Sequence, residues 1–191
     1  MRRWFYVEKF DIGICIPCKC GGTTFYNEVF LGGEGFGGEF RKQAIQIAQE
    51  RGHGPWTAAK AASKLAGVRK VLAVREPIDR FMSLWRDKCA EDRAASGYNY
   101  YRGFSPEMLV QFILQWPFGD PHWTPQYSYM IPGAEVVDYR DIGKIFGYGN
   151  ERRLNETDRE IDVPLEIATV ERLHDHYKQD RHLWTFREKG G

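Results

Sequence analysis

The sequence has no marked excess of either charge. Lysine and arginine number 27 against 26 for aspartate and glutamate, so the formal net charge is +1. A general nucleic-acid-binding protein usually carries a clear basic excess, and the near balance argues against that class. We therefore expect no nucleic-acid partner, although single basic residues can still bind smaller anions.

Long hydrophobic runs are also missing. No apolar stretch approaches the roughly 18–20 residues that span a bilayer, and Glu8, Lys9 and Asp11 interrupt the apolar core that a signal peptide would need after Met1. We therefore expect no membrane partner. A hydrophobic share of 42% with a charged share of 28% is typical of a globular chain, and the length of 191 residues favours a single domain over residues 1–191.

Cysteine is scarce and unevenly placed. Cys15, Cys18 and Cys20 lie within six residues and Cys89 is far away, which is not a disulfide framework and predicts a reduced, cytoplasmic setting. The C-x-x-C-x-C spacing could supply three zinc ligands, but a structural zinc needs four. Because no second C-x-x-C follows and Cys15 lies in a predicted strand, we predict no metal and interpret Cys15 as a small core residue.

Apolar periodicity predicts strands that alternate with helices. This order indicates an α/β fold with three layers, in which a mainly parallel central sheet is flanked by helices. Ligands bind such sheets beyond the carboxyl ends of the strands, so residues 17–24 and 75–83 are the places to look. The predicted strands are 11–16, 68–74 and 135–139; the predicted helices are 23–30 (or a second strand), 39–51, 55–65, 77–95, 106–116 and 164–184, with a glycine-rich loop at 32–38.

The loop after the first predicted strand, CKCGGTTF at 18–25, has the composition of a phosphate site. Gly21 and Gly22 let the backbone approach an anion, Thr23 and Thr24 add hydroxyl donors, and Lys19 adds a full positive charge. The N-terminus of the following helix favours negative charge as well. The lysine precedes the glycines, unlike in the nucleotide-triphosphatase loop, so an ATP-dependent phosphotransferase with Asp138 as a conceivable magnesium ligand is the alternative.

A second anion site is predicted where the strand ending at Val74 meets the segment VREPIDRFMSLW at 74–85. The guanidinium of Arg75 and the hydroxyl of Ser83 suit a phosphate. The alternative is that Arg75 pairs with Glu76 or Asp79 and that Ser83 faces solvent. Two anion sites beyond adjacent strand ends indicate a ligand with two phosphate positions.

Together, PCKCGGTTF and VREPIDRFMSLW resemble the two nucleotide-binding signatures of the sulfotransferases, in particular the carbohydrate branch that includes heparan sulfate 2-O-sulfotransferase. The resemblance implies a P-loop-like sulfotransferase fold, with 3′-phosphoadenosine 5′-phosphosulfate as donor and no metal. It extends weakly to GDPHWTPQ, VDYRDIGKIF and HYKQDRHLW at 119–126, 137–146 and 176–184, and Cys18 is inserted within the first signature. The residues that it implies for the 5′-phosphosulfate are Lys19, Gly21, Gly22, Thr23 and Thr24, and those for the 3′-phosphate are Arg75 and Ser83, with Arg80 in a structural role.

The resemblance further implies sulfuryl transfer to the hydroxyl of a small-molecule or carbohydrate acceptor. Lys19 would neutralise charge on the breaking bond, and a base would take the acceptor proton. Two histidines are candidates for that base. His53 in RGHGPW resembles the family segment that carries it, and His122 in DPHWTPQ is the rival base or an acceptor ligand.

Acceptor recognition could involve aromatic side chains, which stack on sugars but are as often core, and an amide that bonds a hydroxyl. A module that binds the nucleotide without catalysis is a further alternative, motivated by the Cys18 insertion. The residues considered for the acceptor are Trp56, Trp123, Gln126, Tyr127 and Tyr129.

Overall fold

A four-stranded sheet with the order β1-β2-β3-β4 lies at the centre of the computed structural model, which describes residues 3–32, 40–90, 99–149 and 164–188. The strands are β1 (Trp4–Val7), β2 (Ile12–Cys15), β3 (Arg69–Val74) and β4 (Ala134–Asp138). β2, β3 and β4 are parallel, with Ile14 opposite Val71 and Leu72 opposite Val136. The prediction of an α/β fold with a mainly parallel sheet is confirmed.

The antiparallel edge strand β1 was not predicted. It pairs with β2 through a tight connection in which Glu8–Phe10 forms one 3-10 turn and Asp11 adopts the left-handed conformation, with φ of 51°. The charged residues of this connection separate two apolar runs too short to show a period of two. They mark a turn between two strands.

The two faces of the sheet bury different side chains, because successive residues of a strand point to opposite faces. One face packs against the helical segments at 22–30, 40–50 and 142–146, and the other against those at 58–64 and 178–188, which gives the three layers. The first core contains Phe5, Ile14, Val71 and Ala73 of the sheet with Phe25, Ala44 and Phe146; the second contains Trp4, Cys15, Leu72 and Val74 with Ala61 and Leu65.

The helices follow the predicted order, except that the short helix at Ile142–Phe146 was not predicted. They are α1 (Gly22–Phe25), which continues as a π-helical turn (Tyr26–Phe30), α2 (Phe40–Glu50), α3 (Ala58–Lys64), α4 (Pro77–Lys88), α5 (Pro106–Gln115), α6 (Ile142–Phe146), α7 (Ile167–His176) and α8 (Lys178–Glu188). The segment 23–30 is thus helical, not a strand. The glycine loop predicted at 32–38 lies almost wholly outside the described residues.

Several helix boundaries differ from the prediction. α3 begins after Thr57, whose side chain accepts a hydrogen bond from the Lys60 backbone, because Trp56 is already paired with Trp4 in an isolated bridge beside β1. α4 ends at Lys88, although the prediction extended it to residue 95. Residues 89 and 90 are not helical, and residues 91–95 lie outside the described part of the chain. The predicted closing helix is two helices, which meet at Tyr177, where φ of −97° and ψ of 24° interrupt the α-helix.

Candidate active site

The loop between β2 and α1 turns sharply through two residues in the left-handed conformation, Lys19 with φ of 68° and Gly21 with φ of 75°. A side chain in this region costs about 1 kcal/mol, and such strain is most often found at functional sites. A Cβ at Gly21 would also lie 3.4 Å from the Tyr139 ring. Two separate features, the φ angle and this close approach, therefore favour glycine at position 21.

The ammonium group of Lys19 lies against the end of α4. Its Nζ is 2.9 Å from Oδ2 of Asp87, which is also 3.0 Å from Nζ of Lys88. Burial lowers the pKa of Lys19, and the attraction of Asp87 opposes that shift. Burial would raise the pKa of Asp87, but the two lysines hold it below its usual value. The loop thus places a partly desolvated cation at the carboxyl edge of the sheet.

Arg75 lies at the end of β3 and reaches the same loop. Its Nη1 donates to the carbonyl oxygen of Lys19 at 3.2 Å, and the guanidinium lies 5.0 Å from the Tyr139 ring centroid. Its Nε is buried and has no hydrogen-bond acceptor among the residues that the structure describes. The alternative pairing does not form, because the carboxylate of Glu76 instead caps α4 at the backbone N–H of Asp79, 2.7 Å away. A buried donor without an acceptor fits an anionic ligand.

The remaining residues of the two predicted anion sites lie on the helices that start at these loops. Thr23 and Thr24 are partly buried in the first turn of α1. A Cβ at Gly22 would lie 3.4 Å from the Tyr26 ring. Ser83 is partly buried on α4, four residues before Asp87, and residues four apart share a helix face. Ser83 therefore lies on the face of α4 that meets Lys19.

Arg80 ties two loops together from inside the protein. Its side chain is only 2% exposed, its Nε donates to the carbonyl oxygen of Cys18 at 3.1 Å, and its Nη2 donates to that of Pro121 at 3.3 Å. The inserted Cys18 is thus held by its backbone next to Lys19. Because Cys18 precedes Lys19 and Pro121 precedes His122, one guanidinium joins the loops of Lys19 and His122.

His122 is held by Asp120. The ring Nδ1 lies 2.5 Å from Oδ1 of Asp120, and the His122 backbone N–H donates to the same oxygen at 2.8 Å. Burial would raise the pKa of Asp120, but the hydrogen bonds from His122 and the charge of Lys88 hold it below its usual value. Lys88 also contacts Asp87, so its charge acts on the carboxylate partners of both Lys19 and His122.

His53 lies elsewhere, at the outer edge of β1. Its carbonyl accepts from the Tyr6 backbone at 2.8 Å, and its ring meets the Tyr6 ring edge-on at 5.2 Å. The Tyr6 hydroxyl in turn donates to Asp11, just before β2 begins. Among the described residues, no hydrogen bond, ion pair or ring contact joins His53 to the loop of Lys19, which follows the other end of β2.

Most residues considered for the acceptor are part of the interior. Trp123 is 3% exposed and Tyr129 is 2% exposed. The Gln126 amide is occupied, because its Oε1 accepts from the Arg75 backbone at 2.9 Å and its Nε2 donates back to the Arg75 carbonyl at 2.8 Å. A role for Gln126 in bonding an acceptor hydroxyl is therefore wrong. Trp56 and Tyr127 are partly buried.

Two cysteines at this loop, Cys15 and Cys20, are buried in the protein interior. Cys15 is fully buried in the sheet, as predicted for a core residue. The thiol of Cys20 donates to Gln126, and burial raises its pKa to about 12, which disfavours the thiolate that a metal would bind. Within the described ranges no group of three or more histidine, cysteine or acidic side chains could hold a metal ion.

The comparison with protein families agrees with this geometry. The model of the sulfotransferase family matches residues 19–182, which is well over half of the chain and begins at the loop lysine. The chain belongs to the sulfotransferase family. Searches of curated proteins and of solved structures gave no significant match. This sulfotransferase family member therefore has the α/β fold and the general activity, transfer of sulfuryl groups, that its family membership supports.

Two acidic residues of the sulfotransferase site were missed from sequence. Asp87 follows Ser83 by one helical turn, so its face of α4 could have been inferred, but its pairing with Lys19 joins residues far apart in the sequence. Asp120 precedes His122 by two residues, a spacing that could have suggested a carboxylate–imidazole contact.

No helix in the described part of the chain is both long and apolar enough to cross a membrane.

Proposed function

We propose that this chain transfers the sulfuryl group of 3′-phosphoadenosine 5′-phosphosulfate to an acceptor hydroxyl, with a carbohydrate as the acceptor. The observation that carries the proposal is the contact of Arg75 with the loop of Lys19. In this contact Nη1 of Arg75 lies 3.2 Å from the carbonyl oxygen of Lys19. The buried Nε of Arg75 also has no acceptor in the described part of the chain. Two cationic groups on adjacent strand ends match a donor with two separate phosphate positions.

The residues present fit this donor. The loop glycines, Lys19 and the first-turn threonines of α1 would hold the 5′-phosphosulfate, and Arg75 with Ser83 would hold the 3′-phosphate. When bound, the donor supplies the sulfuryl group and leaves as 3′-phosphoadenosine 5′-phosphate. Lys19 stabilises the negative charge that develops on the leaving phosphate oxygen. Its contact with Asp87 restrains the ammonium group before the donor arrives.

A general base must take the proton of the acceptor hydroxyl, and general-base catalysis contributes on the order of 10²–10⁴ in rate. Of the two candidates, the geometry favours His122, because its loop is joined to that of Lys19 through Arg80. His53 is separated from the loop by the β1 edge. If His122 is the base, His53→Ala should transfer sulfuryl groups at the wild-type rate, whereas His122→Ala should lose turnover.

Calorimetry with 3′-phosphoadenosine 5′-phosphate tests donor binding directly. We expect saturable binding, and no heat at millimolar ligand would contradict the proposal. ATP with Mg²⁺ serves as the comparison, and preference for it would favour the phosphotransferase alternative. Asp138, its conceivable magnesium ligand, is 1% exposed and bound to Arg140 at 2.7 Å, which makes that alternative weaker.

Transfer from labelled donor to a panel of glycans and small hydroxyl compounds tests the reaction. Lys19→Ala should abolish transfer, because the leaving group loses its cation, whereas Lys60→Ala, an exposed lysine on α3, should retain it. Nucleotide binding without transfer to any acceptor would instead favour a non-catalytic module.

A further inference from the structure

One carboxylate oxygen fixes both the backbone and the ring of His122. Oδ1 of Asp120 accepts from the His122 backbone N–H at 2.8 Å and lies 2.5 Å from the ring Nδ1. Because an ionised carboxylate only accepts hydrogen bonds, Nδ1 must carry the proton in this contact. The lone pair of the neutral ring is then on Nε2. This is the arrangement by which a carboxylate sets the tautomer of a histidine base.

The surrounding turn is built to hold this pair. The Asp120 carbonyl accepts from the Thr124 hydroxyl at 2.8 Å and from its backbone N–H at 3.0 Å. Arg80 binds the Pro121 carbonyl between the two members of the pair. The His122 side chain is only 13% exposed, so its ring direction is set by these contacts.

The pair is also joined to the loop of the candidate donor site through Arg80. The same Arg80 guanidinium binds the carbonyl of Cys18, the neighbour of Lys19. Lys88 bridges the two ends electrostatically, because it contacts Asp87, the partner of Lys19, and lowers the pKa of Asp120. In contrast, the ring of His53 packs on Tyr6 and has no carboxylate contact among the described residues.

We propose that Asp120 is a positioning residue that holds His122 in the Nδ1–H tautomer, so that Nε2 serves as the general base of sulfuryl transfer. This inference rests on the proposed function. His122 Nε2 takes the proton of the acceptor hydroxyl while the acceptor oxygen forms its bond to sulfur. The bond from sulfur to the 5′-phosphate oxygen breaks, and its electron pair leaves with the nucleotide. The imidazolium then returns its proton to water.

The central variant is Asp120→Asn. Asparagine keeps an oxygen that can accept the His122 backbone N–H, so the turn is preserved, but the negative charge is lost. We expect kcat to fall on the order of 10²-fold, with little change in the donor KM or in nucleotide affinity. Asp175→Asn, an exposed aspartate on α7, is the matched control and should leave kcat unchanged. Thermal unfolding of both variants checks that the fold is intact.

A double-variant cycle separates positioning from a purely structural role. His122→Ala should lower kcat by 10²–10⁴-fold, with partial rescue by added imidazole. Asp120→Asn should cause no further loss in that background, because Asp120 acts through the ring. A kcat for Asp120→Asn within threefold of wild type, or a full additional loss in the His122→Ala background, would overturn the inference.

Nitrogen NMR of the His122 ring gives a readout that does not depend on turnover. The neutral ring of the wild type should show the Nδ1–H tautomer, and Asp120→Asn should show more of the Nε2–H form. A dominant Nε2–H tautomer in the wild type would overturn the inference. Failure of the wild type to transfer sulfuryl groups would overturn the proposed function as well, whereas transfer that is insensitive to Asp120→Asn overturns this inference alone.

Discussion

Replacing Arg75 by alanine should remove the recognition of the 3′-phosphate and leave the rest of the nucleotide site intact. Within the described ranges the guanidinium makes one hydrogen bond, to the Lys19 carbonyl, and Nε is buried without an acceptor. A phosphate placed there could accept from Nε and from a second guanidinium nitrogen. Each hydrogen bond to a charged group contributes about 1.5–3 kcal/mol.

Two such bonds contribute about 3–6 kcal/mol, and the partial exposure of Arg75 favours the lower end. At about 1.4 kcal/mol for each factor of ten, Arg75→Ala should weaken binding of 3′-phosphoadenosine 5′-phosphate roughly 100-fold. The stability should change by less than about 2 kcal/mol, because the lost hydrogen bond and the lost Tyr139 contact are offset by removal of a buried unsatisfied donor.

Calorimetry with two nucleotides makes the test specific. AMP lacks the 3′-phosphate, so Arg75→Ala should change its affinity by less than about threefold if the assignment holds. Arg69→Ala is the matched control, because Arg69 begins the same strand and pairs with Glu135 on the surface at 2.8 Å. Equal weakening of both nucleotides would place Arg75 at the 5′-phosphate, and unchanged binding of both would refute the reasoning.

Three further predictions concern stability and are measured by urea denaturation or thermal unfolding. Asp180→Ala should destabilise by about 2–6 kcal/mol, because it leaves two buried backbone N–H groups without an acceptor at about 1–3 kcal/mol each. The Asp180 carboxylate, 1% exposed, accepts these two N–H groups at 2.7 and 2.8 Å; a loss below about 1 kcal/mol would contradict the prediction. The lowered pKa of Asp120 means that its contact with His122 stabilises the fold above about pH 4 and is lost as the pH falls further, so Asp120→Asn should flatten the acid side of the stability curve. Gly13→Val should lower the free energy of unfolding by about 1–3 kcal/mol, because the new side chain overlaps that of Leu65 at the end of α3. A variant as stable as the wild type would contradict this prediction and show that α3 can shift.

The strands and the loop of Lys19 could be predicted because their information is local. Val71–Val74 and Ile12–Ile14 are apolar runs bounded by turn residues, and these positions are buried on both faces of the sheet. The left-handed Gly21 follows from the need for a tight turn before a helix. The edge strand β1 could not be recognised with the same ease, because its four residues are too few to show a period.

Helix ends were predicted less well because tertiary contacts decide them. Pro55 is a good first residue for a helix, yet its neighbour Trp56 pairs with the backbone of Trp4 and delays the helix to Ala58. Tyr177 divides the closing helix, and its buried hydroxyl donates to the Trp123 carbonyl. Neither contact leaves a signal near the helix end that it changes.

The sequence by itself determined the α/β class, and it predicted the two candidate anion-binding loops with Lys19 and Arg75 as their cations, because short-range patterns of glycine, charge and apolar residues encode them. Only the tertiary structure shows which other residues contact the loops of the candidate site. Arg80 brings Cys18 and Pro121 to one guanidinium across 41 or more residues of chain, and Asp87 pairs with Lys19 from another helix. Such pairings depend on how strands and helices pack, so the choice between His53 and His122 rests on packing as well.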